Sequence, residues 1–318
     1  MNFKSVTGKN WILKDYDNNI VNFYKDNFLL DEVTSRLLAV RNINKEDVQL
    51  FLNPSIKNLL PDPYNLKDMS KGVQRTIESI ERDEKIGIFG DYDVDGASST
   101  ALLGNYFKSI NKSFEIYIPD RKNEGYGPSV NSFNKLISMG SKLIFTVDCG
   151  TLSFKPIDFA KSKDVDVIVL DHHQSEVQLP KANSIINPNR FDDSSKLNYL
   201  CAAGVTFMFL VALNSKLRKN QWFEKNNINE PNLMNFLDLV SLGTICDVVP
   251  LIGLNRAIVK QGLKIIRKKN NVGLKTLIDI CKIENNLTTR DLGYAIGPRI
   301  NAGGRVGKCS HGANLLLG

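Results

Sequence analysis

Short runs of consecutive apolar residues, separated by longer stretches with helical spacing, dominate the middle of this chain. Lys85–Gly90, Phe114–Ile118, Lys142–Val147 and Val165–Leu170 read as buried strands, because their apolar positions are continuous rather than alternating. Ser98–Ser109, Ser129–Met139 and Pro156–Lys163, which lie between them, read as helices. That alternation predicts an α/β fold, a parallel β-sheet flanked by helices on both faces. Ahead of it, residues 1–85 read as mainly helical behind a polar lead-in, with breaks at Asn53-Pro54 and Pro61-Asp62-Pro63 and a helix over Met69–Ile80. Beyond Pro188 the strand pattern stops. Tyr199–Leu217, Asn232–Leu242 and Arg256–Lys269 predict helices, and the polar Asn220–Asn232 predicts a loop. The expected division is a helical lead-in over 1–70, the α/β domain over 71–250 and a basic helical connector over 251–318.

Composition narrows the class. With 318 residues, 42% of them hydrophobic and 24% charged, the chain has ample material for a core. Its five cysteines (Cys149, Cys201, Cys246, Cys281 and Cys309) are odd in number and lack CxxC spacing. That argues against a disulfide scaffold or a thiolate zinc site and for a reducing cytoplasm. No apolar run approaches the ~20 residues a membrane span needs, and the first residues hold no signal-like apolar core. The net charge of +7 is unevenly spread. Residues 1–250 carry 29 basic and 31 acidic side chains, whereas residues 251–318 carry 12 basic and three acidic ones. Two readings of that basic segment stand: a solvated helical face, or a surface that meets a polyanion.

Candidate chemistry sits at the ends of the strands, where open α/β sheets collect their ligands. Asp91-Tyr92-Asp93-Val94-Asp95-Gly96 follows the first strand, Asp148-Cys149-Gly150 the third and Asp171-His172-His173 the fourth. The first run resembles the opening of a calcium loop, but Leu102 stands where that loop needs glutamate, and a strand rather than a helix precedes it. Five carboxylates on one sheet edge require cations. Hard oxygens with one or two imidazoles suit manganese or magnesium, and two such ions sharing a carboxylate suit phosphoester hydrolysis. Cys149 reads as packing on the opposite face of an extended segment. Asp247, within Gly243-Thr244-Ile245-Cys246-Asp247, either caps a helix or completes the site.

These four segments resemble, in order, the motifs of the DHH phosphoesterase superfamily. Tyr92–Gly96 is similar to its RecJ branch of single-strand-specific DNA exonucleases. So are Ile118-Pro119-Asp120-Arg121 with Gly125-Tyr126-Gly127-Pro128, and Gly297-Pro298-Arg299-Ile300-Asn301-Ala302-Gly303-Gly304-Arg305. The lead-in from Phe51-Leu52-Asn53-Pro54 to Leu66-Lys67-Asp68-Met69 shares the likeness, which covers roughly residues 30 to 318. The resemblance implies a 5′-to-3′ exonuclease that acts on single-stranded DNA, releases 5′-mononucleotides and serves DNA repair and recombination. Two divalent ions, Mn2+ or Mg2+, are implied. Asp93, Asp95, Asp148, His172 and Asp247 are the expected metal ligands, with Asp148 between the two ions, and Asp91 ligates or orients a ligand. His173 is expected to face the scissile phosphate, and Asp171 to hold a histidine in one tautomer.

Arg121, Arg299, Asn301 and Arg305 are the expected nucleic-acid contacts. For Arg299 a helix C-terminal charge is the other reading, and Tyr126 either stacks on a base or packs a loop. Single-strand-binding protein and a helicase are the implied partners of a cytoplasmic monomer. Gly303 replaces an alanine that is common in the family. The chain ends at Leu315-Leu316-Leu317-Gly318, ahead of the DHH-associated domain and the oligonucleotide-binding barrel that the resemblance leads one to expect, so a truncated chain is the expectation. Rival readings are a phosphodiesterase of short oligonucleotides, cyclic dinucleotides or pyrophosphate, and a catalytically silent nucleic-acid-binding fragment.

Overall fold

The apolar runs form one five-stranded sheet, in a computed structural model that describes residues 2–284 and 286–318, with backbone alone for Asn2, Phe3 and Val306. The chain divides into two compact units, one ending at Leu59 and one spanning Leu60–Gly318. In the first, β1 (Asn2–Lys4) and β2 (Asn10–Ile12) pair as an antiparallel hairpin. This departs from the helical reading. The strands are three residues long, and β2 is exposed throughout, so no apolar alternation announces it. Then come α1 (Asn18–Phe28), α2 (Glu32–Val40), α3 (Val48–Leu52) and α4 (Ile56–Leu59). Asp17 and Asp31 cap α1 and α2 by accepting amides of their first turns. Val21, Tyr24, Leu38, Ala39 and Val48 form the core of this unit.

In the second unit α5 (Met69–Glu81) leads into β3 (Ile86–Gly90), α6 (Val94–Ser109), β4 (Phe114–Tyr117), α7 (Val130–Ser138) and β5 (Leu143–Val147). Next are α8 (Phe154–Ser162), β6 (Asp166–Leu170) and β7 (Ser184–Ile186). The spatial order is β4-β3-β5-β6-β7, and every neighbouring pair is parallel. Winding therefore starts at β3, steps outward to β4 and then reverses through β5 to β7. The reversal leaves a switch point between the carboxyl ends of β3 and β5.

Both faces of the sheet are covered, which is why its strands read as unbroken apolar runs. On one face Phe89, Ile144, Val167, Val169 and Ile185 meet Phe133 and Leu136 of α7 and Ile157 and Ala160 of α8. Cys149 joins this cluster as a packing residue. On the other face Phe145 lies 5.7 Å from Phe107 of α6 and 5.6 Å from Phe209, ring centre to ring centre. Phe209 belongs to α9 (Ala202–Lys219), which is followed by the short α10 (Trp222–Lys225) inside the expected loop.

Helices fill the remainder: α11 (Leu237–Cys246), α12 (Gly253–Ile266), α13 (Val272–Ile280), α14 (Thr289–Asp291), a π-helical stretch Leu292–Ile296, α15 (Gly297–Val306) and α16 (His311–Leu317). They belong to the same unit as the sheet. Asn105 of α6 donates to the carbonyl of Leu316, and a Cβ on Gly262 of α12 would stand 1.7 Å from Ser241 Oγ of α11. Among the described residues, no helix is long and apolar enough to cross a membrane.

Candidate metal centre

The switch point is where the acids converge. Beyond β3, Asp91 is buried and its Oδ1 has no hydrogen-bond partner. Asp93 is the N-cap of α6, and its Oδ1 accepts Gly96 N at 2.9 Å. The helix thus begins at Val94, four residues earlier than the apolar spacing suggested, because the aspartate run is its cap and first turn. Asp95 points the other way, into the protein. Its two oxygens accept Ala202 N at 2.6 Å and Ala203 N at 3.0 Å, the first amides of α9. No side chain of α9's own N-cap residue, Cys201, serves that end, so Asp95 satisfies amides that would otherwise be orphaned in the interior. Room for it exists because α11 carries Gly243 there; a Cβ at that position would meet Asp95 Oδ1 at 2.4 Å.

Asp148 follows β5 with a φ of 61°, a left-handed turn that aspartate tolerates better than most side chains. Its Oδ1 lies 3.3 Å from His172 Nε2. The same imidazole nitrogen is 3.7 Å from Asp247 Oδ2 and 3.9 Å from Asp95 Oδ2. Asp247 stands at the C-terminal end of α11, and its side chain faces His172 rather than capping a helix start. Three groups of donors result: Asp91, Asp93 and Asp148; Asp148, His172 and His173; and Asp95, His172 and Asp247. Within each group the ligand atoms lie within 4.8 Å of one another. Asp148 and His172 each belong to two groups.

Asp171 stands behind these residues and serves His173. Its Oδ1 accepts His172 N at 2.8 Å and His173 N at 3.2 Å, and lies 2.7 Å from His173 Nδ1. Its Oδ2 accepts Thr151 N at 3.1 Å and Thr151 Oγ1 at 2.6 Å. Burial pushes the Asp171 carboxyl up, but the hydrogen bonds from His173 and Thr151 outweigh it and bring it down to about 2. Asp171 is therefore an ionised acceptor, and the proton between it and His173 sits on Nδ1. The same bond raises the pKa of His173.

The other acids move the opposite way. Burial first and the Asp93 charge second push Asp91 up to about 7 and Asp247 to about 6. Burial and the Asp95 charge raise Asp148 well above the carboxylate range, and burial and Asp247 raise Asp95. Burial and the neighbouring His173 lower His172, leaving a neutral imidazole. Crowded carboxylates that resist ionisation, one orphaned buried oxygen and a neutral histidine together fit divalent cations of hard or borderline character.

The expected nucleic-acid residues are spread more widely. Tyr126 Oη donates to the Asp148 carbonyl at 3.1 Å and lies 3.2 Å from His173 Nε2, so the tyrosine is tied to the metal centre although its ring is half exposed. The Arg121 guanidinium lies 5.2 Å from the centre of the Tyr92 ring. Asn301 and Arg305 line a cavity of about 690 Å³ with Tyr294 and with Val94 and Cys246, the chain neighbours of Asp93 and Asp247. Arg299 belongs to the first turn of α15, not to a helix C-terminus, and its Nη1 donates to the Ala295 carbonyl at 2.8 Å. Thr151, Asn187 and Asn189 are contributors that the sequence did not announce, since uncharged amides and hydroxyls outside a motif carry no signal.

Over residues 85–244, half of the chain, the sequence matches the DHH family, N-terminal domain. The chain belongs to the DHH family. It is 38% identical over 291 residues to the single-stranded-DNA-specific exonuclease RecJ of Escherichia coli, a match that covers 91% of this chain and 50% of that protein. It is 31% identical to the RecJ of Bacillus subtilis, over 96% of this chain and 37% of that one. Among solved structures it is similar to exonuclease RecJ bound to manganese, at 32% identity and a TM-score of 0.68, covering 79% of this chain and 61% of the other. It is also similar to RecJ in complex with Mn2+ from Thermus thermophilus, at 27% identity and a TM-score of 0.76, covering 96% and 42%. This DHH chain spans about half the length of the E. coli relative it matches.

Proposed function

We propose that this chain carries the catalytic centre of a metal-dependent exonuclease of the RecJ type. It acts on single-stranded DNA, hydrolyses phosphodiester bonds from the 5′ end and releases 5′-mononucleotides in DNA repair and recombination. The observation that carries this reading is the overlap of the donor groups at the switch point, with Asp148 and His172 common to two groups each. That sharing suits a pair of divalent ions, and Asp91, Asp93, Asp95, Asp148, His172 and Asp247 are the residues that would hold two Mn2+ or Mg2+ ions here. When bound, such ions supply an activated water and stabilise the charge that builds on the phosphate.

The chain's own residues do the rest. Asp171 keeps the proton of His173 on Nδ1, and the imidazole presents its other edge to the phosphate. Tyr126 holds the backbone that carries Asp148. Asn301 and Arg305 offer phosphate contacts in the adjoining cavity, with Arg121 and Arg299 as further cations.

The test is cleavage of single-stranded oligonucleotides labelled at either end by this chain and by its Asp148→Asn variant, in Mn2+ and in chelator. The wild-type chain is expected to release labelled mononucleotide from the 5′ end only, in Mn2+ only. Asparagine tolerates the left-handed turn, so the variant folds and loses at least a hundredfold in rate. Undiminished cleavage by the variant, or cleavage in chelator, would overturn the proposal.

A further inference from the structure

The His172-His173 segment lies between β6 and β7 without helix or strand structure of its own, yet both imidazoles must hold their aim. Backbone carbonyls in such a segment need partners, and here the partners are side chains from just beyond β7. Asn187, fully buried, donates through Nδ2 to the His173 carbonyl at 2.9 Å and to Thr151 Oγ1 at 2.8 Å. Its Oδ1 accepts Asn189 N at 2.8 Å, which settles which end of the amide donates. Asn189 Nδ2 donates to the His172 carbonyl, and Ser175 Oγ returns a bond to the Asn189 carbonyl at 3.1 Å. Because Thr151 Oγ1 accepts from Asn187, its single proton goes to Asp171 Oδ2.

We propose that Asn187, Asn189 and Thr151 are positioning residues that fix the two histidines: Asn189 through the His172 carbonyl, and Asn187 and Thr151 through a directed chain of hydrogen bonds from Asn187 to Thr151 to Asp171, with His173 Nδ1–H closing on the same carboxylate. β7 is the frame on which this chain is built. Its parallel register sets Ile186 opposite Leu170, and Asp171 N donates to the Ile186 carbonyl, so Asn187 emerges beside Asp171. The two asparagines act on different histidines. Asn189 anchors the backbone of His172, the residue shared by two donor groups, whereas Asn187 and Thr151 act on the tautomer of His173.

The consequence for metal binding rests on the function proposed above; the consequence for the tautomer does not. The test uses the full chain with nitrogen-labelled histidine, Mn2+ titration and thermal melts for Asn189→Ala, Thr151→Val and Thr151→Ser. The chain has three histidines, so the spectrum is assigned with His173→Gln. In metal-free wild type His173 is expected to show protonated Nδ1. Thr151→Val mixes the tautomers, and Thr151→Ser, which keeps the hydroxyl, restores the wild-type signal. Asn189→Ala melts cooperatively but binds Mn2+ about tenfold more weakly, the lower end of what outer partners of metal ligands contribute.

Wild-type tautomer in Thr151→Val together with wild-type Mn2+ affinity in Asn189→Ala would overturn the proposal. Absence of Mn2+ binding by the wild-type chain would overturn the metal reading instead, with the tautomer still deciding on positioning. Should Thr151→Val fail to fold, Thr151→Ala, which also lacks the hydroxyl, carries the tautomer measurement, and Asn189→Ala carries the Mn2+ affinity.

Discussion

Replacing Asp91 with asparagine should stabilise the metal-free protein while weakening its response to metal. Asp91 is 4% exposed, its Oδ1 has no hydrogen-bond partner, and burial together with Asp93 raises its pKa from 3.8 to about 7. Between those two values the folded protein holds the proton more tightly than the unfolded chain does. Stability without metal therefore falls as pH rises through that window. The carboxyl then destabilises the fold by less than about 1 kcal/mol near pH 4 and by at most about 4 kcal/mol near pH 7. An amide of the same shape does not ionise, but it leaves a polar atom unsatisfied in the same place, so about half of that gain, roughly 2 kcal/mol, is expected to survive.

For a unit of this size the gain corresponds to a rise in melting temperature of roughly 4–8 °C near pH 7 in chelator, shrinking towards zero near pH 4. Adding Mn2+ should reverse the order, because the wild-type carboxylate gains a counter-charge that the amide cannot use. Differential scanning calorimetry of both proteins at the two pH values, with chelator and with Mn2+, provides the assay. Coincident melts near pH 7 in chelator, or a gap that does not change with pH, would refute the claim that Asp91 is a buried charge waiting for a cation.

Two further outcomes follow from the basic surface and from helix packing. Arg305→Ala should weaken binding of a single-stranded oligonucleotide and flatten the plot of log affinity against log salt by about 0.7, the value of one phosphate contact; an unchanged slope in a fluorescence-anisotropy titration would remove Arg305 from the interface. Gly262→Ala would press a methyl group to within 1.7 Å of Ser241 Oγ and 2.3 Å of the Leu237 carbonyl, forcing α11 and α12 apart at about 1–3 kcal/mol in urea denaturation, with a wild-type midpoint as the contrary result.

The centre of the fold was legible because burial on both faces writes itself into sequence as unbroken apolar runs. β3, β5 and β6 each end where their apolar patterns end and start one residue later than expected. The peripheral strands were not legible. β7 has three residues, too few for any period to show, and β1 and β2 form a short hairpin whose described side chains are exposed. At the site, motif spacing brought the aspartates and histidines into view, since charge in a buried context has few explanations. What spacing could not convey was division of labour. Asp93 caps α6, Asp95 caps α9, and Asp148 turns through a left-handed residue; each is a property of backbone geometry rather than of residue type. The two readings of Asp247, a helix cap or a member of the site, also needed coordinates, because only they show it at the C-terminal end of α11 with its carboxylate facing His172.

The two bonds from Asp95 to the start of α9 make the acids of this centre unequal before sequence drift. Asp148, which caps no helix, could be lost in a lineage that abandons metal chemistry, and the architecture would persist. Asp95 could not be lost so freely, because a long, largely buried helix of the unit would then begin with bare amides in the interior. A descendant without activity should therefore keep an acid at this position, or a new acceptor for those amides, long after its other ligands have gone. Persistence of Asp95 alone would then record inheritance of a fold and carry no information about catalysis.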